Sequence, residues 1–457
     1  MGILNNALSG SLAAQAAVNA ASQNIANLQT RGYTRQGVLL GSLSGNGGRL
    51  APGSGVEVQS LLRFSDAYKN QQMWRAASDQ GARSQTQPYL TQLERIMGDN
   101  ASSISNGVDN FFRALNAAGA DPTSTPLRQQ VVTAADAMAQ HFNSINNVMN
   151  NQLLSVHQQR SAILPQANTA LAGIAELNAK ISAAGASGAN PSALIDARDL
   201  AIDGLATQMA LEVVDQPDGS RNVSLRSGEP LVIGNIAGTL GSALDASGTQ
   251  IISLQFTNAN FKVDNVGIGG QMGGLGAFER DVLAPLQQSV RDIASAVSDK
   301  INAQLALGQT MAGAAGTPLF VFGVSGGAGI LKVSAGFGAG DLAFSSDGTP
   351  GNNNNLQLLI DIKNQAIPVT SIGNVLLSDA DTQLVGKLAI DSQKNKALLS
   401  TADTVRNQAV ADWNATSGVN KDEEAVNLLE FQNMFQANMK VISVANEMFD
   451  ATLAMMR

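Results

Sequence analysis

The sequence predicts an α+β multidomain chain: a helical stem whose N- and C-terminal helices form a coiled coil, with a β-rich domain inserted between its two halves. Three observations predict it. From Lys421 to Arg457 the residues Leu428, Phe431, Phe435, Asn438, Ile442, Ala445, Phe449 and Thr452 follow one another by threes and fours, which places a heptad seam along one long helix. At the other end, Met1 to Thr30 holds no charged residue and carries Leu4, Leu8, Leu12, Val18 and Ile25 at roughly helical spacing among Ala, Asn, Gln and Ser. Between the ends the hydrophobic period shortens to two near Leu211 and lengthens again after residue 355, so β structure interrupts helix.

Each element follows in order. The first helix spans residues 1–30 and closes on Asn24-Ile25-Ala26-Asn27-Leu28-Gln29-Thr30-Arg31-Gly32-Tyr33. There Asn24 and Asn27 can bond backbone groups where the helix unravels, and Gly32 permits a turn with φ > 0. Tyr33 adds a ring with a polar tip. Val38 to Leu62 alternates and holds Gly pairs and Pro52, so it reads as short strands and turns. Helices dominate from Asp66 to Ala210. The longest pattern runs from Met138 through Phe142, Ile145, Met149, Val156 and Ile163 to Ile181, and Pro165 is expected to kink or break it. Asp196 and Arg198 read as a surface or interhelical salt bridge.

From Leu211 to Asn355 the chain reads as the inserted β-rich domain, with Asp218-Gly219 as a hairpin signal. A glycine-rich turn, Gly269 to Leu275, leads into a long helix over 278–307. PLFVFG, GILKVSA and DLAFSS read as short strands, and the tract Gly351 to Asn355 as a linker. The second half of the stem covers 356–420, against 31–210 for the first. The last helix, 421–457, starts with Asn420 as its cap and Glu423 placed to close a capping box. A second row, Met434, Val441, Met448 and Met455, recurs every seventh residue on another face. A helix sticky on two faces needs more than one partner, so the ends are expected to pair with each other and with further copies of the chain. Leu4, Leu8, Leu12, Val18, Ile25, Leu428, Phe431, Phe435, Ile442 and Phe449 are the expected assembly interface.

Composition narrows the chemistry. Hydrophobic residues make up 44% of the 457 and charged residues only 14%, a surface suited to dense protein packing because little charge has to be desolvated. A net charge of −8 argues against a nucleic-acid partner. No cysteine is present, which removes disulfides, thiol nucleophiles and thiolate metal sites. No apolar run has the length of a membrane span, and the N-terminus lacks the basic region and apolar core of a secretory signal. The two histidines, His141 and His157, are sixteen apart and in no metal-binding pattern. Gly323-Val324-Ser325-Gly326-Gly327 fits G-x-S-x-G, but a strand follows it and no histidine lies downstream, so it reads as a glycine loop. No catalytic, cofactor-binding or metal-binding residue is assigned.

Ser22 to Gln36 resembles the N-terminal motif of the bacterial flagellar axial family, where the stretch usually reads N-x-x-T-P-G-Y; here Arg31 stands where proline is common. Asn24, Asn27, Gly32 and Tyr33 carry that likeness. Gly55 to Val58 with Arg63 to Tyr68, the segment around Leu194, Asp196, Arg198 and Asp199, and the Gly269–Leu275 turn with Arg280, Asp281 and Asn302 resemble the hook-associated branch. So does the C-terminal run. The resemblance implies a structural, non-enzymatic component of the flagellum, assembling helically at the distal end of the hook where hook meets filament. Its implied partners are copies of itself, the hook protein, a second junction protein on the filament side and an export chaperone, with neither membrane nor nucleic acid among them. It further implies an extracellular location reached through the flagellar export channel without a cleaved signal peptide. A hook or distal-rod protein shares the N-terminal motif. A flagellum-associated adhesin, with its specificity in Leu211–Asn355, is the other alternative.

Overall fold

The computed structural model describes residues 2–43, 53–100, 103–246, 248–323 and 329–456. Its first helix, α1 (Gly2–Ala26), ends in turns at Asn27–Gly32, and Gly32 takes φ +81°. An antiparallel hairpin follows, β1 (Gln36–Ser42) with β2 (Val56–Arg63), bulged between Leu39 and Leu40. Four helices then build the first half of the stem: α2 (Ala67–Met97), α3 (Ile104–Ala120), α4 (Thr125–Ser187) and α5 (Ser192–Gln208). Asp66 caps α2 by accepting from the backbone N–H groups of Tyr68 and Lys69, and the left-handed Gly188 closes α4.

At 63 residues α4 is about 95 Å long, and it runs through Pro165 unbroken. The expected break does not occur. Pro165 lies on the exposed side of α4, while Ile163, Leu164 and Ala167 beside it are buried. Packing of that inner face holds the helix where the local backbone preference would not.

The alternating stretch after Leu211 folds into two antiparallel meanders. The first has four strands, β3 (Leu211–Asp215), β4 (Arg221–Leu225), β5 (Pro230–Ile233) and β6 (Ile236–Ala237), with Gly219 at φ +82° in the β3–β4 turn. The second has three, β7 (Thr239–Leu244), β8 (Gln250–Phe256) and β9 (Ala259–Val263). The long helix expected over 278–307 is divided into α6 (Gly270–Phe278), a π turn over Glu279–Leu283, and α7 (Ala284–Ala306). Glycines let α6 lie against α2: a Cβ on Gly274 would come within 2.3 Å of the Ala82 carbonyl oxygen. Two small hairpins, β10 (Phe320–Phe322) with β11 (Leu331–Val333) and β12 (Ala366–Val369) with β13 (Gly373–Leu376), pack on α7. Val324 to Gly327 of the G-x-S-x-G string lie outside the described residues.

Two further expectations need correcting. DLAFSS forms no strand; a 3-10 turn over Ala339–Asp341 precedes a single bridge between Ser345 and Gln309. The asparagine tract is not a linker, because α8 (Asn354–Asp361) starts inside it. Asn355 is buried there and donates to the carbonyls of Ala343 and Gln304, so its amide replaces backbone partners that the turn lacks. The stem closes with α9 (Ala380–Ser417), packed along α2, and the chain with α10 (Lys421–Met455), packed along α1. One apolar cluster from Trp74 to Leu388 fills the body, and it includes no residue of α1 or α10.

Candidate assembly interface

Sequence ends meet in space because the axial motif folds as a clamp. The Asn24 side chain is buried; its amide donates to the Gln36 carbonyl at 2.8 Å and its oxygen accepts from the Gln36 N–H at 3.0 Å. It therefore mimics a strand partner and fixes the start of β1 against the end of α1. The Tyr33 hydroxyl donates to the same oxygen at 2.9 Å. Burial, with Asp196 and Glu424 nearby, pushes the Tyr33 phenol up to about 12. Asn27 donates to the Gln23 carbonyl and accepts from the Thr30 hydroxyl. Arg35 joins the far end of the chain, donating its backbone N–H to the Ser417 carbonyl and pairing with Glu423 at 2.9 Å. Glu423 is thus committed to Arg35, and the expected capping box is not the arrangement found; Asn420 caps α10 alone, accepting from the Asp422 N–H.

Beneath the clamp, α5 presents Asp196, Asp199 and Asp203 at spacings of three and four. Asp196 accepts from the Thr34 N–H and from Arg63 at 2.7 and 3.0 Å. Asp199 takes Arg63 at 3.0 Å and also Arg221. Asp203 takes Arg406 of α9 through both oxygens, at 2.7 and 2.8 Å. Neither Asp196 nor Arg198 forms the expected surface or interhelical pair. Both are buried: Arg63 of the hairpin closes over Asp196, while Arg198 faces α4 and the β3–β4 turn, donating to Asn178 and the Gly219 carbonyl. Burial lowers the Arg198 guanidinium to about 10. Loop 28–33, α5 and α9 enclose a cleft of about 420 Å³ beside this ladder, with Leu28, Leu200 and Trp413 in its walls. Among the described residues no group of three His, Cys, Asp or Glu is placed to hold a metal ion, and no helix is long and apolar enough to cross a membrane.

The terminal helices pair antiparallel. Gly10 abuts Asn438, where an added Cβ would lie 2.7 Å from the Asn438 Oδ1, and Arg35 meets Glu423 at the other end of the pair. The α10 seam residues Leu428, Phe431, Phe435, Asn438, Ile442 and Ala445 are half-buried. Eight residues back from Gly10, Gly2 stands level with Asn446, so Phe449 lies past the described end of α1 and is 62% exposed. On α1 the apolar residues are placed differently. Leu8 and Leu12 are more than half exposed, and Leu4, Val18 and Ile25 half-buried. The buried stripe of α1 is instead Ala7, Gly10, Ala14, Ala17, Ala21 and Asn24, whose spacing by threes and fours was visible in the sequence. Small side chains there let the two backbones approach closely. Of the 35 residues of α10 only Glu424 is buried; Met434, Val441, Met448 and Met455 are exposed.

Comparison with known proteins gives the following. The family model described as flagellar hook-associated protein FlgK helical domain matches residues 90–320, and the model described as flagellar basal body rod FlgEFG protein C-terminal matches residues 414–455. Flagellar hook-associated protein 1 of Salmonella typhimurium (strain LT2) is 26% identical over 553 residues, covering 99% of each chain. Flagellar hook-associated protein 1 of Bacillus subtilis (strain 168) is 25% identical over 485 residues, covering 96% of this chain and 95% of the relative. Among solved structures, the flagellar hook junction protein FlgK from Burkholderia pseudomallei superposes with a TM-score of 0.67 at 16% identity, over 75% of this chain and 99% of that one. That last likeness speaks for the fold.

Proposed function

We propose that this chain, which belongs to the flagellar hook-associated protein FlgK family, is a structural component of the flagellum that assembles on the distal end of the hook and forms the hook–filament junction. One observation carries the assembly part of this reading. The 35-residue α10 spends its seam on α1 and leaves a second apolar face, with Met434, Val441 and Met448, in water. A helix so placed gains most of its stability from packing that one copy does not provide. The family match over 90–320 supports a hook-associated rather than a rod or hook role, since it lies outside the terminal helices.

Its partners in this reading are further copies of itself, the hook protein below, a second junction protein above, and an export chaperone before assembly. The protein acts outside the cell, is exported without a cleaved signal peptide, and works without catalysis. Leu8 and Leu12 on α1, with the exposed row on α10, are the surface that neighbouring copies cover. Leu428, Phe431, Phe435 and Ile442 hold the pair itself together. To test this, purified protein is mixed with isolated hooks and the hook tips are examined by electron microscopy. A short cap confined to the distal end, on which the next junction protein then adds, is the expected result. Absence of binding, or decoration along the hook, would overturn it.

A further inference from the structure

Where the second meander meets α4 and α6, polar links close a ring. On α4, Arg160 and His157 both reach Glu279, the first residue of the π turn. The guanidinium donates from Nη2 to Oε2, and the imidazole Nε2 lies 3.0 Å from Oε1. Three residues back, on the same helical face, Gly276 is backed so closely by the Asn265 carbonyl that no Cβ would fit. The Asn265 amide donates to the carbonyl of Gln250, the first residue of β8, at 2.6 Å. The Gln250 amide donates in turn to the His157 carbonyl at 3.1 Å and the Ser161 hydroxyl at 2.9 Å. That returns the ring to the turn of α4 from which it started.

Four atoms of this ring are shut off from solvent and have no hydrogen-bond partner among the described residues: Arg160 Nε and Nη1, Gln250 Oε1 and Asn265 Oδ1. Two are donors and two are acceptors. Arg160 and Gln250 are buried as whole residues, so bulk solvent does not serve them, and an unmade hydrogen bond to a buried charged group is costly. Turning the amides over gives no relief. A reversed Gln250 would set its oxygen against the His157 carbonyl, and a reversed Asn265 would set its oxygen against the Gln250 carbonyl. The bonds already made therefore fix which end of each amide is left over, and in both it is the oxygen.

We infer that the ring encloses an internal binding site for water, held by Arg160, Gln250 and Asn265. The donor set selects the occupant. An anion would suit the guanidinium but would face two amide oxygens, and a cation would suit the oxygens but face the guanidinium. Water both donates and accepts, and a buried water commonly makes about three hydrogen bonds to groups otherwise unmet. Two N–H donors and two oxygens are what such a molecule, or a bonded pair of them, satisfies. The site ties α4, the π turn and β8 to one shared ligand. It supplies the bonds that let Arg160 stay buried although Glu279 takes only its Nη2.

Crystals of the whole chain, grown once in chloride and once in bromide, test this. The expected result is a density peak of oxygen weight about 2.7–3.2 Å from Arg160 Nε or Nη1 and from Gln250 Oε1 or Asn265 Oδ1, with no anomalous signal in bromide. A bromide peak at that position would make it an anion site and overturn the water. An empty ring, or one in which the guanidinium bonds directly to an amide oxygen, would do the same. Gln250→Met gives a second readout, since it fills a similar volume without the oxygen. The peak is expected to be lost in that variant while the Arg160–Glu279 pair stays in place. A peak that keeps its position and strength there would overturn the assigned ligands.

Discussion

The stem body and the terminal pair use the same kinds of residue in opposite ways. In the body even charges are buried, and several are answered by a counter-charge: Asp199 by Arg63 and Arg221, Asp203 by Arg406, Glu279 by Arg160. In the terminal pair even methionines and a phenylalanine stand in water. The body is a finished folding unit around one core. In the proposed assembly the pair is half of a unit whose other half is another molecule, which is the difference expected between a domain core and a surface that orders on assembly.

The largest effect should come from breaking the pair alone. Phe435→Asp or Ile442→Asp puts a carboxylate into the seam against α1 and is expected to abolish capping of hooks, while the main thermal transition of the monomer stays where it was. Normal capping by either variant would move the interface elsewhere. The same contrast predicts hydrogen exchange in the monomer. Amides of Leu4–Ile25 and Leu428–Phe449 should exchange by local opening with little protection, whereas those of Val131–Ile174 should open only with the body. Equal protection in both regions would erase the distinction.

These contrasts were unevenly legible in the sequence. Amphipathic period exposes seams of large residues, so the stripe from Leu428 to Ile442 could be read directly, and the change of period located the strands. The stripe of α1 that actually packs is alanine, and a hydrophobicity pattern weighted by size passes over it in favour of Leu8 and Leu12. The charge ladder was beyond reach for another reason. Asp196, Asp199 and Asp203 are visibly spaced on one helix face, but Arg63, Arg221 and Arg406 come from a hairpin, a meander and the far half of the stem, and only the folded chain brings them together. Asn24 was legible as a backbone-binding residue because the short amide has few other uses where a helix ends. Asn355 was misread for the same reason turned round: among four asparagines it looked like solvent-seeking tract.

In the body, Asp199→Ala should cost about 3–5 kcal/mol, because it strands Arg63 and Arg221 in a largely buried site. Urea denaturation measures it, and a loss below about 1 kcal/mol would mean that the ladder is solvated in practice. Pro165→Ala tests the long helix in the other direction. Since α4 is already continuous and residue 165 exposed, restoring the missing N–H should stabilise by up to about 3 kcal/mol. A destabilised variant would show that the proline is accommodated by a geometry that alanine cannot share.

The smallest effect concerns pH, and it too separates the two regions, because both histidines lie in the body. His157 faces Glu279, with Nε2 3.0 Å from Oε1, while Arg160 already occupies the other carboxylate oxygen. Burial first, and the neighbouring guanidinium second, hold the imidazole below its ordinary 6.5. A histidine depressed in the folded state is neutral there while the unfolded chain takes up a proton near 6.5. Stability therefore falls as pH drops below that value, and the fall stops once the folded imidazole titrates. One proton limits the slope to about 1.4 kcal/mol per pH unit. His157→Gln keeps a side-chain donor for Glu279 and removes the titration, so its stability between pH 7.5 and 5.5 should decline less than that of the wild type. All other titrating groups are common to both chains, and the difference between the two slopes isolates this one. Equal slopes would show that acid weakens the body elsewhere. Capping of hooks at pH 5.5 should follow the pair and stay unchanged by the substitution.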